Sequence, residues 1–176
     1  PPLERIKALV SGSPSVRLAD SALDDWAEQQ NTLQSREAWE TLGDWIDQVN
    51  PRFSYQVGER YHIAASITDE QVEAAAVVRN SVRARLDEVF SDGGFVCLPT
   101  SPVPAPLLGQ TLSDRRECQD RILKLTCIGG TTGRPQITIP VAKVNDIPVG
   151  LSFMGKKGED EALMGFALEI EKALAD

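Results

Sequence analysis

Between Phe95 and Gly155 the chain carries three short apolar runs, each broken by proline or glycine where a strand should end. Phe95 to Leu98 stops at Pro99, Ile137 to Val144 is interrupted by Pro140, and Val149 to Met154 ends at Gly155. Short β-rich runs with such punctuation read as strands. Runs this continuously apolar suit a sheet covered on both faces. Helical patterns lie before, between and after them, which predicts a layered α/β domain.

The helical segments follow from spacing. Leu3, Ile6 and Val10 predict a short amphipathic helix over 1–10, ended by Ser11–Pro14, with a short strand over Ser15–Leu18. Asp20-Ser21 reads as a cap for a helix bearing Leu23, Trp26, Ala27 and Gln30. Ser35 reads as a second cap, opening a helix with Trp39, Leu42, Trp45, Ile46 and Val49 on one apolar face until Asn50-Pro51 stops it. Phe53 to Ile67 fits no single element. Thr68 caps a long helix to Phe90, with Asp69 and Glu70 in its first turn. Asp114 to Leu125 predicts a helix entering the core near Ile122, Leu125 and Ile128. Gly129 to Gly133 then reads as a turn before Arg134-Pro135 and a strand, Val144 to Pro148 as a hairpin turn, and Glu159 to Leu174 as a terminal amphipathic helix.

Several chemistries are disfavoured. A formal charge of −8 over 176 residues argues against non-specific binding to nucleic acid or an anionic membrane. No apolar run approaches bilayer-spanning length. Cys97, Cys118 and Cys127 form no CxxC pair, and an odd count argues against a disulfide framework, so a reducing cytoplasm is expected. One histidine, His62, and no clustered cysteines leave no metal set, and no cofactor is expected. Gly129–Gly133 lacks the Lys-Ser/Thr of a phosphate-binding loop, and no G-x-S-x-G elbow occurs. The loop Pro99–Pro106, with four prolines, sits at the end of the first strand, where open α/β sheets bind ligands.

An ordered set of motifs carries a family resemblance. D-x-x-F-V-x-L-P-T-x-P-x-P-A-P (92–106) is followed by G-x-x-G-x-P-x-I-T-I-P-V (130–141) and I-P-V-G-L-S-F-M-G (147–155). Upstream stand E-A-W-E-x-x-G-x-W-I (37–46) and N-P-R-F-x-x-x-V-x-x-R (50–60); D-E-A-L-M-G-F-A-L-E (160–169) closes the set. Over roughly residues 35–176 the chain resembles the C-terminal part of the amidase signature family. That implies a single domain over 1–176 that forms part of an α/β/α sandwich with a mixed sheet: a helical lead-in over 1–34, a helical segment over 35–94, then strands and a terminal helix over 95–176.

The family cleaves amides with a Ser nucleophile, a second Ser and a Lys base. Its G-G-S-S-x-G-S segment and upstream Lys do not occur in these 176 residues, so the chain alone is expected to be inactive. The resemblance instead assigns it the wall of the substrate pocket: Thr100 and Pro102 after L-P-T, and Cys127, Ile128, Gly129 and Thr131 before R-P-Q. Leu125, with Cys127 and Ile128, implies a mainly apolar pocket. Arg60 matches loosely an arginine that recognises a substrate carboxylate in tRNA-amidotransferase-like members, a structural ion pair being the plainer reading. The implied partners are a missing N-terminal part of the same amidase and a small-molecule amide, with a homodimer as a further expectation. The A subunit of a glutamine-dependent tRNA amidotransferase and a non-catalytic amidase-like docking protein are the alternatives.

Overall fold

The computed structural model describes residues 12–19 and 23–175. Its elements are α1 (Asp24–Val49), α2 (Tyr55–Ala65), α3 (Asp69–Val89), β1 (Val96–Pro99), α4 (Leu112–Thr132), β2 (Gln136–Val144), β3 (Ile147–Met154) and α5 (Asp160–Ala175). The strands lie in the order β1-β3-β2, and both pairings are antiparallel, so the mixed sheet implied by the resemblance is not seen among these three. Asn145 and Asp146 join β2 to β3 with φ of 50° and 63°, the positive values a tight two-residue hairpin turn requires. Pro140 does not end β2. The register shifts between Pro140 and Ala142, and a residue with no N–H is absorbed at a bulge on an edge strand.

Register decides what each face meets. Leu98, Ser152 and Thr138 are partners across the sheet and share one face; Cys97, Phe153 and Ile137 share the other. The first face joins a core of Trp26, Val82, Leu86, Phe90, Leu98, Cys127, Ile128 and Met154, drawn from α1, α3 and α4. The second joins Ile139, Phe153, Leu163, Ala167 and Ile170, closed by α5. Phe166 stacks on Phe95 at 4.7 Å and meets Phe153 edge-on at 5.2 Å. Phe153 and Met154 are neighbours pointing to opposite faces, yet 1% and 0% exposed. Each contributes about 2 kcal/mol of burial, and together they define an α/β/α sandwich.

Helix ends explain several departures from the sequence reading. Thr68 caps α3 in a complete capping box with Gln71. Ser35 caps nothing: α1 runs unbroken past it, and Arg36 ties α1 to the start of α3 through the Ile67 carbonyl and Asp69. The helix ends at Asn50, left-handed at φ 45°, ψ 59°. Leu42, Trp45 and Val49 lie on the expected face but are exposed, because periodicity tells which residues share a face and not whether anything covers it. Ser15–Leu18 forms no strand, and Phe53–Ile67 resolves mainly into α2. The helix expected over 1–10 and the cap at Asp20-Ser21 lie outside the described residues.

The largest departure is at Gly129–Gly133. The expected turn is the last turn of α4, ending on Gly133 at φ 66°, whose N–H donates to the Gly129 carbonyl at 2.8 Å. Glycine is costly inside a helix, but here bareness allows close packing. A Cβ at Gly129 would stand 3.1 Å from the Gln136 side chain, and one at Gly130 3.2 Å from that of Gln30.

Candidate functional site

Three hydroxyls meet at one end of the sheet face that looks toward α3 and α4. Ser152, fully buried on β3, lies 2.8 Å from Thr100 Oγ1 and 3.0 Å from Thr138 Oγ1, and Thr100 donates to Thr138 at 3.3 Å. The cluster exists because the sheet is continuous through Thr100, whose N–H donates to the Gly150 carbonyl at 3.3 Å. Gly150 fills the space between Thr100 and Thr138 with no side chain of its own. The cluster grades from buried Ser152 to exposed Thr138.

Each hydroxyl offers one proton and two acceptor sites, so the triangle leaves acceptor capacity for a ligand N–H. Among the described residues no Lys or His bonds to any of the three. A hydroxyl with no neighbouring base is a poor nucleophile, so the arrangement can bind and orient but not attack.

The loop after Thr100 carries Pro102, exposed, and is stiffened by Ser101, whose Oγ donates to the Val103 carbonyl at 2.6 Å. The α4 residues assigned to the pocket wall sit deeper. Cys127 and Ile128 are buried in the same core cluster as Leu98 and Met154, Leu125 is half-buried, and Gly129 lies against Gln136. Thr131 is buried with its Oγ1 unpartnered. The burial pushes the Cys127 thiol up to about 11, so it stays protonated at neutral pH and is no nucleophile.

Arg60 is placed apart from these. It is exposed on α2 and reaches Gln119 at 3.5 Å, two turns before Cys127 on α4, while the adjacent Glu59 pairs with Arg116. It makes no ion pair among the described residues. Among the described residues no group of three or more His, Cys, Asp or Glu is placed to hold a metal ion, and no helix of theirs is long and apolar enough to cross a membrane.

Ser152 and Thr138 escape a reading of the sequence. The signal for both is a hydroxyl residue inside an otherwise apolar strand, I-T-I and L-S-F, but only the register shows that they face each other.

Residues 6–164 match the model of the family described as Amidase. Amidase 1 of Arabidopsis thaliana is 29% identical over 143 residues, covering 81% of this chain and 33% of that protein. The chloroplastic outer envelope protein 64 of the same plant is 28% identical over 138 residues, covering 78% of this chain and 23% of its own length. A crystal structure of an amidase superposes with a TM-score of 0.78 at 28% identity, over 93% of this chain and 38% of that one. The chain thus spans about a third or less of the curated relatives' length.

Proposed function

The chain belongs to the amidase family, and from that premise we propose that it forms the C-terminal, substrate-pocket part of an amidase that hydrolyses carbon–nitrogen bonds in small amides. The observation that carries this reading is the family match over residues 6–164, which spans α1 to β3 and reaches the first turn of α5. In this proposal Thr100 and Pro102 face the substrate. Ser152 and Thr138 hold the Thr100 hydroxyl in place, and the end of α4, with Leu125, Cys127, Ile128, Gly129 and Thr131, backs the wall. The nucleophile and its base come from outside these 176 residues, which makes the remainder of the amidase the essential partner.

The test is hydrolysis of an aryl amide by the protein that contains this chain, with Thr100→Val as the probe. A pocket hydroxyl predicts a raised KM with kcat little changed, because binding is lost while the chemistry is untouched. No hydrolysis in the unsubstituted protein, or kinetics indifferent to Thr100→Val, would overturn the assignment. A second reading, a non-catalytic amidase-like binding protein, is kept because one relative is named for an outer envelope and not for amide hydrolysis. It predicts saturable binding of the amide with no turnover.

A further inference from the structure

We propose that the cleft bounded by Arg83, Asp87, Thr132, Arg134 and Lys157 is a binding site for a small oxyanion, a carboxylate or a phosphate. The cleft lies where the end of α4, the last two turns of α3 and the loop after β3 converge. Gly133 turns the chain in the left-handed region, and Arg134 folds beneath α3. Its guanidinium sits 4.6 Å over the Phe90 ring, Nη2 donates to Asp87 Oδ1, and the side chain is 3% exposed.

That environment compensates the buried cation incompletely. Arginine stays charged at any accessible pH and carries five N–H donors. Here Nε and Nη1 are both buried without a partner, and the one carboxylate that Arg134 meets is 75% exposed and shared with solvent. A buried charge is tolerated when paired and hydrogen-bonded. A simple structural ion pair accounts for Nη2 and leaves the other two nitrogens unexplained.

The surroundings add positive charge. Arg83 donates through Nε to the Thr131 carbonyl at 3.2 Å, and its two Nη nitrogens have no partner among the described residues. Lys157 forms no ion pair there. Its loop is held by Lys156 N–H donating to Glu159 Oε2 at 3.2 Å and Glu159 N–H to the Lys156 carbonyl at 3.0 Å. Three cations thus line a cleft with a single carboxylate, on a chain whose formal charge is −8. The volume, about 150 Å³, suits one anionic group rather than an extended ligand. The free Nη pair of Arg83 and the Lys157 ammonium offer donors to carboxylate or phosphate oxygens, and the Arg134 guanidinium beneath them adds its charge.

The test titrates the protein with inorganic phosphate and, separately, with acetate at constant ionic strength. Heat of binding and the Arg134 side-chain Nε–H resonance are followed together. Saturable binding of either anion with a shift of that resonance is expected, and the tighter anion identifies the ligand class. Lys157→Ala and Arg83→Gln change exposed side chains and spare the core, and each should weaken binding about fivefold, the loss of roughly 1 kcal/mol. Asp87→Asn removes the competing carboxylate and should tighten it. Failure of both anions to saturate overturns the proposal, as does an affinity unmoved by both cation replacements.

Discussion

Thr138 leaves no room for a side chain at Gly150: a Cβ there would stand 2.5 Å from the Thr138 Cγ2 and 3.0 Å from the Thr100 Oγ1. Both neighbours are held in place, Thr138 on β2 and Thr100 by its hydrogen bond to Ser152. Gly150→Ala is therefore expected to destabilise the protein by about 1–3 kcal/mol, the usual cost of overpacking a close contact. Thr138→Ser deletes the clashing methyl and should recover part of the loss in the double variant. Urea unfolding reads both. A Gly150→Ala protein as stable as its parent would show that the strands part freely at this point.

Ser152 is the buried member of the hydroxyl triangle, and both threonines depend on it. Ser152→Ala removes two hydrogen bonds and leaves Thr100 and Thr138 with only their 3.3 Å contact to each other. A loss of about 1–2 kcal/mol follows from the partners left unsatisfied at a part-buried site. Under the pocket reading, the same change loosens Thr100 and raises KM. Unaltered stability with a raised KM would separate the binding role from the structural one.

How much of this was legible in the residues differs by element. Pro99, Gly155 and the apolar runs mark the strands because punctuation is local chemistry, and Thr68 with Asp69 and Glu70 marks a helix start for the same reason. Gly129–Gly133 misled because glycine reads as a turn unless one knows that Gln136 and Gln30 press against it. Tertiary contact overrode propensity there. Thr100 could be singled out from its motif, while Ser152 and Thr138 could not, since the β1-β3-β2 register is long-range information. Arg134 opens the R-P-Q run, but its meaning comes from burial against Phe90 and Asp87, which no motif shows.

Arg36 fastens two helices with one side chain. Its Nη1 donates to the Ile67 carbonyl at 2.9 Å, Nη2 to Asp69 at 2.8 Å, and Nε to Glu40 at 2.7 Å. The Glu40 and Asp69 carboxylates hold the guanidinium above its ordinary range. Arg36→Ala should lower the thermal midpoint by a few degrees and speed amide exchange in the first turn of α3. Arg36→Lys should recover little, because an ammonium lacks the planar fork that spans three acceptors. Full recovery by lysine would reduce the contact to charge alone.

Cys127 sets an alkaline limit. Its thiol is held at about 11 in the folded protein by burial, against an ordinary value of 9.0. Below pH 9 the folded and unfolded chains both carry the proton, and the contribution is constant. Between pH 9 and about 11 the unfolded chain gives it up while the folded one keeps it, so stability falls as pH rises. The slope in that window is at most about 1.4 kcal/mol per pH unit, and Cys127→Ala should remove it. Chemistry at pH 8 gives an independent check. Cys97 is exposed on β1 and Cys127 is buried in the core, so iodoacetamide should label Cys97 well before Cys127. Equal labelling of the two would mean that α4 leaves the sheet readily, and the packed wall assigned to it would fail with that result.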